Sequence, residues 1–115
     1  MVRDPGMEEV LREDLGDLPG IQTSRLDEKP MFGGLCFLLD GHMLCAVRED
    51  RAMYRVGKRH EPEALALPGA SRMVHNGRAY PGWIWLTGDS LSDDKTRARL
   101  TVWAHETVRA LPPKE

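Results

Sequence analysis

The chain has 115 residues, of which 41% are hydrophobic and 30% charged, and 16 Lys and Arg against 18 Asp and Glu give a formal net charge of -2. That length suits one domain, and the apolar content excludes a disordered chain. The charge balance excludes the global basic excess of a typical nucleic-acid-binding domain, leaving room only for a local patch.

No apolar run approaches the roughly 18 residues that cross a bilayer. Residues Met1 to Gly6 lack the apolar core of a signal peptide, and the expectation is a disordered tail over 1–6 on a cytoplasmic protein with no membrane partner. A first helix is predicted from about Met7, with Val10, Leu11 and Leu15 on its apolar side and Glu8 and Glu9 at its positive end. Gly16 stops it and Leu18-Pro19-Gly20 forms a loop. Ile21 to Leu26 reads as weakly extended, and Pro30 holds Lys29 extended.

The clearest signal is a hairpin. Leu35 to Leu39 and His42 to Val47 flank Asp40-Gly41, a dipeptide suited to a type I′ turn. Ala52 to Val56 adds a third strand. This meander is apolar on both faces, so a helix, a loop or a second subunit is expected to cover the second one. A short helix over Glu61 to Leu67 follows, with Pro62 in its first turn and Pro68-Gly69 ending it. Ser71 to His75 and Ala79 to Leu86 form another hairpin around Asn76-Gly77, and Pro81 implies an edge strand or a bulge. The last helix opens at the capping-box-like Ser90-Leu91-Ser92-Asp93 and carries the stripe Leu100, Trp103, Ala104, Thr107, Val108 and Leu111. The order α, three strands, α, two strands, α defines an α+β fold of antiparallel β-meanders with flanking helices.

Candidate chemistry is sparse. His42, His60, His75 and His105 lack metal-ligand spacing, Phe32-Gly33-Gly34 lacks a phosphate-loop context, and Ser90 and Ser92 fit helix caps better than nucleophiles. No catalytic residue, cofactor or metal is assigned. In a strict two-residue turn Cys36 faces Cys45, either as two reduced core thiols or as a strained redox pair. Arg48, Arg51, Arg55, Lys58 and Arg59 form a basic cluster, read first as a solvated edge and second as an anion or nucleic-acid patch. Trp83 and Trp85 share one strand face, as core, interface or pocket wall, and Met31, Met43, Met53 and Met73 are candidates for a plastic apolar surface.

Several segments in order resemble the TfoX N-terminal domain family, named for a bacterial regulator of natural competence. They are Lys29-Pro30-Met31-Phe32-Gly33-Gly34, Asp40-Gly41-His42-Met43, Tyr54-Arg55-Val56-Gly57, Leu67-Pro68-Gly69-Ala70, Gly77-Arg78, Gly82-Trp83-Ile84, Trp103 and Pro112-Pro113-Lys114. Met73 stands where the family often has an aromatic, and Ala79-Tyr80-Pro81 also departs from its pattern. The resemblance implies an α+β domain with helices at both ends and no catalytic residues to carry over. The family's competence regulators have a second, C-terminal domain that this sequence does not contain, so a role tied to that domain is not expected. The resulting expectation is a non-enzymatic regulatory or protein-interaction module with an unidentified protein partner and self-association as a homodimer. The alternatives are a DNA-associated regulator using the arginine patch and a small-ligand-binding protein.

Overall fold

The computed structural model describes residues 3–31 and 33–112. The first helix, α1, spans Pro5–Gly16. It starts earlier than the sequence pattern suggests because the Asp4 side chain caps it, accepting the Met7 N–H at 3.1 Å, and Pro5 fits its first turn. Residues 3–6 are therefore not a tail; Met1 and Val2 lie outside the described residues. The buried stripe is Leu11 and Leu15, with Met7 packed alongside and Leu18 beyond the helix end, rather than Val10.

Six strands form one antiparallel sheet: β1 Leu26–Met31, β2 Gly34–Leu39, β3 His42–Arg48, β4 Arg51–Arg55, β5 Ala70–His75 and β6 Arg78–Thr87, in the spatial order β1-β2-β3-β4-β6-β5. Sequence pattern missed β1. Its polar run Asp27-Glu28-Lys29 and its proline are tolerated because β1 is an edge strand that pairs only with β2. Both type I′ turns form, with φ of 53° and 85° at Asp40 and Gly41, and 53° and 73° at Asn76 and Gly77.

Two helices complete the chain, α2 Glu61–Leu65 and α3 Asp94–Arg109. The last helix starts later than predicted. Ser90 to Ser92 lie in a 3-10 turn, and Asp93 takes the N-cap position, where its carboxylate accepts a hydrogen bond from the Thr96 hydroxyl. All three helices contribute to a single core on one side of the sheet. Leu11 and Leu15 of α1, Ala64 of α2, and Leu100, Trp103, Ala104 and Val108 of α3 meet Leu35, Phe37, Leu39, Tyr54, Ile84 and Leu86 there. Arg97, 5% exposed, joins the helices: its guanidinium donates to Asp14 of α1 at 2.9 Å, to the Leu91 carbonyl at 2.9 Å, and to Asp94.

Two irregularities bend the sheet. Leu38 faces Met43 but Phe37 faces Cys45, so Leu44 is an extra residue on β3. Arg72 faces Ile84 but Val74 faces Ala79, so β6 carries surplus residues around Pro81 and Gly82, where a bulge was expected. Gly82 has φ of +87°, and a Cβ there would sit 3.0 Å from the backbone of Gly57 and Lys58. The Gly82 carbonyl accepts the Gly57 N–H at 3.0 Å, and the Gly82 N–H donates to the Glu61 carboxylate at 3.1 Å. Only glycine allows β6 to turn this closely against the end of β4.

Candidate functional site: the open face of the sheet

No described helix joins a core on the second face of the sheet, yet that face is apolar. Strand alternation places Arg51, Met53 and Arg55 of β4 there, across from Thr87, Trp85 and Trp83 of β6. On the other side of β4, Ala46 faces Met53 and Arg48 faces Arg51. Ile84 and Leu86 point into the helical core, which leaves Trp83 and Trp85 half-buried on the open side. All six residues of β2 are buried. Cys36, Leu38 and Met53 are buried but stand outside the helical core cluster.

On this side lies a groove of about 450 Å³. Its walls come from both edges of the sheet. Met31 is on β1, Met43, Ala46 and Arg48 are on β3, and Met53 is on β4. Met73 and His75 on β5, and Tyr80, Trp83 and Trp85 on β6, close the far side. In a flat sheet of six strands about 4.8 Å apart, the outer strands would lie roughly 24 Å from each other. A groove lined from both edges fits a curled sheet, a curvature that bulges such as those at Leu44 and at Pro81-Gly82 favour.

The arginine and tryptophan candidates, separate in the sequence, come together here. The Arg48 and Arg51 guanidinium carbons lie 5.5 and 5.1 Å from the Trp85 ring centroid, and that of Arg55 lies 5.2 Å from Trp83. All three are cation–π distances. Arg51 also pairs with Asp50 at 3.1 Å, a carboxylate 63% exposed, and that pairing holds the Asp50 carboxyl below its usual range. The Arg48 Nε is buried and has no hydrogen-bond partner among the described residues.

Lys58 and Arg59 do not join this cluster. They are exposed in the turn that leads from β4 to α2.

The two cysteines do not face each other. The extra residue at Leu44 puts Cys36 opposite Ala46 and Cys45 opposite Phe37. Cys45 belongs to the helical core, Cys36 to the open side, and both thiols are free. The cross-strand redox pair, which assumed an uninterrupted two-residue hairpin, therefore lacks its geometry. Burial pushes both thiol pKa values up. Thiolates, the reactive form, are disfavoured at both positions.

The histidines are dispersed. His42 Nε2 lies 2.7 Å from the Pro112 carbonyl. His60 stacks on Trp103 at 5.3 Å, between Glu63 and Glu106. His75 lines the groove, and His105 is buried on α3. Among the described residues, no group of three His, Cys, Asp or Glu could hold a metal ion.

Sequence reasoning did not foresee the part played by Tyr80 and His75, whose strands look like an exposed hairpin, or by Arg97. A lone arginine within an apolar helix stripe carries no local signal for a buried ion pair.

The arrangement defines a class: an α+β domain whose sheet is backed by helices on one side and curled into a ligand-sized, arginine-edged groove on the other. The chain belongs to the TfoX N-terminal domain family, whose model matches residues 22–111. The match covers all six strands, α2 and α3. Of the segments that carried the resemblance, Phe32, Pro113 and Lys114 lie outside the described residues. Comparison with curated proteins finds no match, and neither does comparison with solved structures. No described helix is long and apolar enough to cross a membrane.

Proposed function

We propose that this chain is a non-enzymatic, competence-regulator-like module that works by binding through the open face of its sheet. The observation that carries the reading is the groove, walled by methionines, tryptophans and Arg48, with Arg51 and Arg55 lying over the rings of Trp85 and Trp83. A soluble domain rarely leaves a contiguous apolar surface uncovered unless something docks there. Thioethers, aromatic rings and guanidinium groups are suited to holding a partner. The cationic rim favours a different partner over a second copy of the chain, since self-docking would bring like charges together. The reading includes a cytoplasmic location, supported by two unbonded thiols.

The test is genetic. The host gene is deleted, then restored either unchanged or with Trp85→Ala, and transcripts are profiled. Regulation through the open face predicts altered transcription on deletion, recovered by the unchanged chain and not by the variant. Unaltered transcription on deletion would sink the regulatory reading. Full recovery by Trp85→Ala, at equal protein level, would remove the open face from it.

A further inference from the structure

We infer that the groove takes an amphiphilic anion, a small molecule with an apolar body ending in a carboxylate or a phosphate, and that Arg48 and Arg51 hold the anionic end; this rests on the open face being the working surface. Its volume of about 450 Å³ lies within the span of small-molecule sites, roughly 300 to 1,000 Å³. The curl of the sheet makes it a concavity rather than a flat docking face. Met31, Met43, Met53 and Met73 supply soft, adaptable walls, and the Trp83 and Trp85 rings supply flat ones.

The charge at one end calls for an anion. Arg48 and Arg51 are direct cross-strand neighbours, a like-charge pairing that is unfavourable by itself. Both guanidinium groups are drawn over one ring, that of Trp85. Asp50, the carboxylate that answers Arg51, points to solvent, and no described residue lining the groove is acidic. Arg48 lines the groove, and its Nε donor is buried without a partner. A buried donor of this kind is costly unless something accepts from it. A ligand oxyanion between the two arginines would accept that hydrogen bond and relieve the repulsion. The planar guanidinium fork suits a carboxylate or a phosphate equally well.

The test uses the full chain and four probes: 2-naphthoate, 2-naphthyl phosphate, and their neutral counterparts 2-naphthamide and 2-naphthol. Binding is read from the Trp83 and Trp85 indole N–H signals in NMR titrations. At least one anion is expected to shift both signals saturably, about tenfold more tightly than its neutral counterpart, the factor one charge-assisted hydrogen bond contributes. Which anion wins separates a carboxylate ligand from a phosphate one. Arg48→Met is expected to abolish that preference, with unaltered amide dispersion showing that the variant is folded. Arg51→Gln should weaken the preference in the same direction. Neutral probes binding as well as anions, the absence of saturable shifts with either anion, or a preference that survives Arg48→Met would each overturn the proposal. None of these results would restore regulation to a Trp85→Ala strain, so failure here is distinct from failure of the open face itself.

Discussion

The two faces of the sheet are built from the same strands and both carry apolar side chains, but they are completed differently. The helical face is closed by three helices, and its side chains are locked by burial and by the Arg97 network. The open face is completed by curvature alone, and its tryptophans remain half-exposed under arginines. One face therefore carries stability and the other is left free to bind. What distinguishes them is whether an amphipathic helix lies on top, together with the arginines of β3 and β4, which fall on the open side.

Substitutions can break this division. Arg97→Leu should be among the most damaging, costing about 3 kcal/mol, because it strands the partly buried Asp14 carboxylate beneath the helices. A drop of that size in urea-unfolding free energy is expected, and a change under about 1 kcal/mol would show that the ion pair does not hold the helical face. Gly82→Ala should cost about 2 kcal/mol, from the positive φ and the backbone contact. It should also open the groove, visible as a red-shifted tryptophan emission in the folded state. Met43→Ala, on the half-exposed open face, should cost only about 1 kcal/mol, against about 3 kcal/mol for Leu100→Ala in the helical core. Equal losses for those two would erase the distinction between the faces.

The smallest effect concerns pH. Burial, and secondarily Arg109, hold the His105 pKa below its ordinary value. The unfolded chain then binds a proton more readily than the folded one, so this contribution to stability is complete above about pH 6.5 and is lost as pH falls towards the depressed folded value. The midpoint of urea unfolding should decline between about pH 7.5 and 5.5, and His105→Gln should flatten that slope.

The fold was readable where local chemistry is strong. The two I′ dipeptides, the Pro62 and Pro68-Gly69 boundaries and the α3 stripe all specify their structure within a few residues. What escaped depends on context. β1 is polar, and it forms because β2 offers an edge. Its only ion pair with a helix among the described residues, Glu28 to Arg12, spans 16 positions in sequence. The bulge at Leu44 has no glycine to mark it, so the hairpin register was legible only next to the turn. The site was half legible. Arg48, Arg51 and Arg55 were grouped as a charged edge, and Trp83 and Trp85 as a separate aromatic pair. Their union depends on β4 pairing with β6 across the intervening α2 and β5, which sequence spacing does not reveal.

The single surplus residue at Leu44 acts as a phase shifter. It sends the thiols of Cys36 and Cys45 to opposite sides of the same two strands. The molecule therefore carries a native chemical reporter on each side. Both thiols are buried, so thiol labelling read by mass spectrometry should report local opening on each side separately: lifting of the helices should accelerate labelling of Cys45, and fraying of the open side should accelerate labelling of Cys36. Local unfolding on the two sides of the sheet can thus be followed as two separate clocks in the unmodified protein.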